Sequence, residues 1–112
     1  MIYELKYEAR AVKQIKKLDP ATRKLIKSWI EKNLLNTDNP RQHGKGLTGN
    51  LSQYWRYRVG DYRILAEIND AEIIIIIVEI GHRRDIYREL GTILTSSSPP
   101  PKTTVEAYSR FY

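Results

Sequence analysis

Residues 53–87, QYWRYRVGDYRILAEINDAEIIIIIVEIGHRRDIY, leave this chain few ways to fold: their alternation and turn residues spell three consecutive antiparallel strands. From Tyr54 to Val59, the residues Trp55, Tyr57 and Val59 fall on one face, and Tyr54, Arg56 and Arg58 on the other. Gly60-Asp61 has the chemistry of a two-residue hairpin turn, glycine supplying the positive φ that such turns need. The turn predicts a register in which Val59 faces Tyr62, Arg58 faces Arg63, Tyr57 faces Ile64, Arg56 faces Leu65 and Trp55 faces Ala66. One face is then a packing set of Trp55, Tyr57, Ile64 and Ala66, while the other gathers Arg56, Arg58 and Arg63. Like charges directly opposite each other on a strand pair are unfavourable. Arg58 and Arg63 therefore require an anion, a carboxylate such as Glu67 or Glu79, or room to splay into water.

Asn69-Asp70 marks the next turn, and Glu72–Ile80, EIIIIIVEI, the third strand. Apolar residues at consecutive positions predict an interior strand covered on both faces. Burying Glu79 under helices would be costly, so the favoured register puts Glu79 on the arginine face and Ile80 inward. That choice requires a turn of odd length, including Ala71, and sends Arg83 toward the arginines if extension continues past Gly81. The segment GHRRDIY, residues 81–87, then supplies cations, an imidazole and a phenol. Cleaving a phosphodiester requires cations for the transition-state charge and groups that move protons, and an aromatic ring can stack on a splayed RNA base. Taken singly, His82 reads as a loop imidazole bound to backbone and Tyr87 as a ring sealing the sheet end. Beside an arginine face, the set reads as chemistry.

The N-terminal third supplies what the sheet packs against. Ile2–Tyr7 alternates as a short strand, with Tyr3, Leu5 and Tyr7 on one face. Residues 8–18 place Val12, Ile15 and Leu18 at helical spacing. Asp19-Pro20 signals a second helix start, Asp as cap and Pro at the first helical position. That helix is predicted over about residues 20–35, with Leu25, Ile26, Trp29, Ile30 and either Asn33 or Leu34 as its apolar stripe. Two helices this short cannot bury their stripes alone and need the sheet. Residues 36–50, NTDNPRQHGKGLTGN, read as a loop. Its Arg41, His43 and Lys45 either touch a phosphate or are solvated charges, the commoner state of basic loop residues.

At 112 residues the chain suits one small domain. We expect it to occupy residues 1–94, ending in a short helix over residues 88–94. A Ser/Pro/Thr-rich spacer at 95–104 and an aromatic tail of unassigned role at 105–112 follow. Cysteine is absent, which removes disulfides, Cys-based zinc sites and thiol nucleophiles. No cluster of His, Asp and Glu at ligand spacing stands out, and neither a metal nor another cofactor is expected. The charged N-terminus and the shortness of the apolar run Ile73–Val78 predict a cytoplasmic protein without a membrane span. The net charge of +6 suggests a polyanionic partner.

The run LTGNLSQYWRYRVGDYRILAEI, then a strand and GHRRDIY, all after one strand and two helices, resembles the RelE/ParE superfamily of toxins from type II toxin–antitoxin modules. The resemblance spans about residues 2–90. It implies an α+β fold, a small antiparallel sheet of about four strands packed against an N-terminal helical hairpin. It also implies a cognate antitoxin as partner, with operator DNA bound by the complex through that antitoxin. The RelE-like branch, which the motifs favour, implies cleavage of mRNA on the ribosome, without a metal, by attack of a ribose 2′-hydroxyl on the adjacent phosphate. Matched position by position, phosphate orientation falls to Arg56, Arg58 and Arg63, and transition-state stabilisation or leaving-group protonation to Arg83. Base stacking or proton transfer falls to Tyr87. Lys45 and Arg84 are expected as further RNA contacts. Some relatives carry lysines where this chain has Arg56 and Arg58, and a guanidinium is a poor general base. His82 is the expected substitute, with Tyr87 as the fallback. The competing implications are a ParE-like toxin that inhibits DNA gyrase by binding, and an RNA-binding module without chemistry.

Overall fold

The computed structural model describes residues 1–84 and, for residues 104–106, the backbone alone. In chain order the elements are β1 (Glu4–Glu8), α1 (Ala9–Lys17), α2 (Pro20–Asn33), β2 (Lys45–Gly46), a 3-10 turn (Gly49–Leu51), β3 (Tyr54–Val59), β4 (Tyr62–Asn69), β5 (Ile74–His82) and β6 (Thr104–Glu106). They form one sheet in the order β2-β3-β4-β5-β1-β6, backed by the helical hairpin. The expected α+β architecture holds: four longer strands make the body of the sheet, and β2 and β6 add short edges. β1 lies beside β5 in parallel, while every other pairing is antiparallel.

The β3–β4 hairpin has the register that its turn chemistry dictates, from Val59 opposite Tyr62 to Trp55 opposite Ala66, with Gly60 at φ 59°. β5 is interior, between β4 and β1, and five of its apolar residues, from Ile74 to Ile80, are buried. Glu79 lies opposite Leu65 and Ile80 opposite Ile64, the expected faces. The means differ from the expectation. The turn between the strands spans residues 70–73, an even number, and a bulge at Leu65/Ala66 shifts the ladder by one residue. The odd residue thus sits within the strand pair rather than in the turn, which is what a β-bulge does to side-chain direction.

Asp19 starts α2 as anticipated: its carboxylate accepts from the Thr22 amide at 3.0 Å and the Thr22 hydroxyl at 2.6 Å. Arg23 then reaches back, its Nη2 donating to the Lys16 and Leu18 carbonyls at 3.2 and 2.9 Å. One side chain of α2 thereby satisfies open carbonyls at the end of α1. Ile26, Ile30 and Leu34 are fully buried and pack with Ala11, Val12 and Ile15 of α1 over Tyr57, Ile64, Ile75 and Ile77. Leu34 rather than Asn33 completes the stripe. Leu25 does not belong to it: it is 53% exposed, because the sheet contacts only an arc containing positions 26, 30 and 34.

Of the C-terminal expectations, the helix over residues 88–94, most of the spacer (95–103) and the end of the tail (107–112) lie outside the described residues. No described helix is long and apolar enough to cross a membrane. Ile30 sits where both helices meet the sheet, so Ile30→Ala should cost about 2–5 kcal/mol of stability through lost burial and the cavity left behind, read from the urea unfolding midpoint.

Candidate functional site

Strand pleating turns the register into a surface. Directly paired residues share a face, so Lys45, Arg56, Leu65 and Glu79 form one row across β2, β3, β4 and β5, and Arg58, Arg63 and Gly81 form the next. This face is opposite the helices. It carries a small apolar patch of Leu65 and Val78, partly covered by Leu47, Leu51 and Tyr54. Lys45, expected within a loop, belongs to the edge strand β2 and stands beside Arg56. The structure thus brings Lys45, Arg56, Arg58 and Arg63 onto one face.

The facing pair Arg58 and Arg63 resolves its repulsion asymmetrically. Arg63 is buried, 5% exposed, and its Nη1 donates to the carbonyls of Gly60 at 3.1 Å and Tyr62 at 3.0 Å. Arg58 is exposed. Gly81 opposite Arg63 adds no side chain to the crowding. Glu79, 1% exposed, accepts from Arg10 Nη1 at 3.1 Å and Gln14 Nε2 at 2.8 Å, both on α1. Gln14 Oε1 also accepts from the Ile80 amide at 2.7 Å, so one glutamine clasps the far end of β5. These anchors lie just before the cationic segment. The Arg83 amide donates to the Asp61 carbonyl at 2.8 Å, fixing the end of β5 against the hairpin turn.

β5 ends at His82, and Arg83 and Arg84 have helical backbone and exposed side chains. Extension therefore does not carry on to Arg83, whose backbone is held at the Gly60-Asp61 turn by the Asp61 contact. His82 does not converge with the arginines. Pairing with Tyr62 puts it on the helix side of the sheet, its ring edge-on to Tyr62 with centroids 5.6 Å apart. Its Nδ1 accepts from the Arg84 amide at 3.2 Å. Tyr87 lies outside the described residues. Among the described residues, no group of three His, Asp or Glu is placed to hold a metal ion.

A second cluster sets the position of β2. Trp55 Nε1 donates to the His43 carbonyl at 2.6 Å and the Tyr57 hydroxyl to the Pro40 carbonyl at 2.6 Å, while the Trp29 ring meets His43 and Tyr57. Burial pushes the Tyr57 phenol well above its usual range, so it stays a donor. Arg41 makes a two-pronged bond to Asp70 at 2.8 and 3.0 Å, stands over Trp55, and shares Asp70 with the Tyr3 hydroxyl. Arg41 and His43 are therefore structural anchors of the loop. Gly44, at φ 80°, passes so close to β3 that a Cβ would run into the Arg56 carbonyl oxygen. The sequence signal for this was Gly44-Lys45-Gly46, unremarkable in a loop until paired with the indole opposite.

The family model described as "ParE toxin of type II toxin-antitoxin system, parDE" matches residues 5–87. Toxin RelG of Mycobacterium tuberculosis is 30% identical over 88 residues, covering 79% of this chain and 99% of that toxin. Among solved structures, the RelBE2 toxin–antitoxin complex of M. tuberculosis superposes with a TM-score of 0.66 at 25% identity, covering 74% of this chain and 93% of that one. The RelB–RelE antitoxin–toxin complex of Methanococcus jannaschii gives 0.58 at 30% identity, covering 74% and 95%.

Two outcomes follow from the β2 cluster. Gly44→Ala combines a left-handed backbone with a clash against β3; it should cost more than about 1–2 kcal/mol, the penalty of that conformation alone, read from urea unfolding. Hydrogen bonding from Arg41, then from Tyr3, holds the Asp70 carboxyl below its ordinary range. The clamp's contribution is therefore present above about pH 4, where an unfolded Asp is ionised, and is lost as pH falls through the depressed folded value. Melting curves across pH 2.5–7 should show Asp70→Asn less stable than the parent near neutrality, with the gap closing toward the acid end.

Proposed function

Because the chain belongs to the ParE toxin family of type II toxin–antitoxin systems, within the RelE/ParE superfamily, we propose that it is an endoribonuclease that cuts translated mRNA on the ribosome. The observation that carries this reading is the arginine face. Lys45, Arg56, Arg58 and Arg63 stand in two adjacent rows of one sheet surface, and the end of β5, leading into Arg83, is bound to the hairpin beside them.

Arg56 and Arg58, with Lys45 and Arg84 flanking, neutralise and orient the phosphates on either side of the cut. Arg63, preset by the turn carbonyls, faces the scissile phosphate. As the 2′-oxygen attacks and the P–O5′ bond breaks, the added negative charge on the phosphoryl oxygens is taken up by Arg63 and Arg83, the groups placed to bind the transition state more tightly than the ground state. The leaving 5′-oxygen takes a proton from a water, and the 2′-hydroxyl gives one up. Guanidinium groups are poor acceptors, so the 2′-proton goes to a group outside the arginine rows, Tyr87 or a water. With its ring on the helix side of the sheet, against Tyr62, His82 is not the group that takes this proton. The cut leaves a 2′,3′-cyclic phosphate and a 5′-hydroxyl.

A cognate antitoxin is the natural partner, since the related chains of M. tuberculosis and M. jannaschii are held in toxin–antitoxin complexes. An acidic segment of that antitoxin would neutralise the arginine face, and operator DNA would be bound by the complex through the antitoxin.

The test is to map 5′ ends on a message translated in a purified system. We expect cuts that depend on translation, and a loss of about 10²–10³ in cleavage rate for Arg83→Ala or Arg63→Ala, the scale of removing one transition-state donor, with ribosome affinity retained by Arg83→Ala. Intact RNA together with gyrase-dependent DNA breaks would assign the chain to gyrase inhibition instead. RNA binding with neither activity would leave a module without chemistry.

A further inference from the structure

His82 takes no part in the proton transfers above, yet its ring has a defined place. Nδ1 accepts from the Arg84 amide at 3.2 Å, and the ring stands edge-on to Tyr62 with centroids 5.6 Å apart. A ring nitrogen that accepts carries no proton, so this contact exists only with the neutral imidazole, protonated on Nε2. The arrangement is that of a helix cap. β5 ends at His82 and helical backbone begins at Arg83; the side chain just ahead of the first helical residue takes the amide of the second.

The cap frames Arg83. The Arg83 amide donates to the Asp61 carbonyl at 2.8 Å, and the next amide along, that of Arg84, is the one His82 holds. Both peptide groups flanking the Arg83 Cα are therefore tied, one to the hairpin turn and one to the imidazole. Since peptide groups are rigid planes, two tied planes fix the direction in which the Arg83 side chain leaves the backbone. The strand carrying them is anchored in turn, by Gln14 at the Ile80 amide and by Arg10 and Gln14 at Glu79. Of all these ties, only the one to Arg84 runs through an imidazole, the side chain whose charge changes between about pH 5 and 8.

Protonation would replace the acceptor with a donor aimed at the Arg84 N–H. It would also put a positive charge at a helix start, where the backbone dipole disfavours it. Tyr62 faces the ring from β4, and the charged residues next to it are Arg83 and Arg84 on its own segment and Asp61 at the hairpin turn. From α1, the side chains that reach the end of β5 are Gln14, which is uncharged, and Arg10, which is paired with Glu79. Among the described residues, no carboxylate forms an ion pair with the imidazole.

We propose that His82 is a positioning residue for the reaction: its neutral imidazole caps the turn that begins at Arg83 and so sets the Arg83 guanidinium, and protonation of the ring frees that turn. This rests on the role given to Arg83 above. It makes cleavage sensitive to acid although no proton of the reaction passes through the ring.

The test measures single-turnover cleavage of a translated message between about pH 5.5 and 8 for the parent, His82→Asn and His82→Ala, with melting curves at pH 8 to confirm folding. Asparagine can cap the same amide through an oxygen that does not titrate, and alanine cannot. His82→Asn should cut at close to the parent rate at pH 8. The parent should then fall behind it as pH drops, by about 2- to 30-fold, the worth of one cap. Taking the ratio at each pH removes the response of the ribosome and of the chemistry itself. His82→Ala should be slower than His82→Asn by the same factor at every pH. A general base would behave otherwise, so His82→Asn as slow as His82→Ala overturns the proposal. A parent-to-Asn ratio constant with pH overturns it too, as does His82→Ala cutting as fast as the parent at pH 8. NMR of the parent separates this failure from that of the function it rests on. A ring proton on Nε2 at pH 8, with the Arg84 amide following the ring's titration more strongly than the Arg83 amide, supports the cap even if no message is cut. A proton on Nδ1, or an Arg84 amide that does not follow the ring, overturns it.

Discussion

The two-residue turn at Gly60-Asp61 is the constraint from which the rest follows. Side chains alternate strictly along a strand, so the turn that pairs Val59 with Tyr62 also decides that Tyr57 meets Ile64 and Arg58 meets Arg63. A slip of one residue would set Arg63 on the face of Tyr57, or Arg56 and Arg58 on the face of Ile64. One or two guanidinium groups would then point into the helical hairpin, each at several kcal/mol even after relaxation, and the apolar residues of the slipped strand would face water. The same interaction therefore makes the core and the cationic surface. Neither can be lost without the other.

The bulge at Leu65/Ala66 performs the matching operation between β4 and β5. With an even turn at residues 70–73 and an unbroken ladder, Glu79 would lie under the helices and Ile80 outside. The extra residue reverses that for the upper half of β5 alone, leaving Ile75 and Ile77 inward below it. Glu79 is then on the outer face at the strand's edge, where β1 has already given way to α1, and Arg10 and Gln14 reach it from there. The paired carboxylate and the clasped Ile80 amide make the end of β5 rigid just ahead of Arg83. The two anchors of that cationic segment, one to α1 and one to the Asp61 carbonyl, come from opposite sides of the strand.

Much of this was legible in the residues because it is local. The hairpin register is fixed by two turn residues and alternation, and the start of α2 by Asp19-Pro20; both are readable without knowing what lies across the molecule. Glu79's face could be argued from the cost of burying a carboxylate, although the same argument could not tell a bulge from a longer turn, since both change parity by one. What stayed hidden depends on contacts distant in sequence. Lys45 joins the arginine face only because Trp55 and Tyr57 pin the loop before it. Gln14's role needs a backbone amide 66 positions away. His82 could be assigned to either face until its pairing with Tyr62 was known, and Leu25 read as core because a helical stripe can be drawn one position too wide.

The facing arginines show how a cluster of permanent charges can be both stable and useful. A guanidinium keeps its proton throughout the range in which a protein is folded, so Arg58 and Arg63 can relieve their repulsion only by geometry. Arg63 does so by giving Nη1 to two backbone carbonyls of its own turn, which fixes the plane of the group and leaves its other donors in a set direction. Arg58 does so by staying in solvent. One member of the pair is thus organised before any ligand arrives, and the other can adjust to it. Electrostatic stabilisation of a transition state is strongest where the charges need not move as the reaction proceeds. In the proposed reaction the field at the phosphate is accordingly set by Arg63, and so by the carbonyls of the Gly60 turn that hold it.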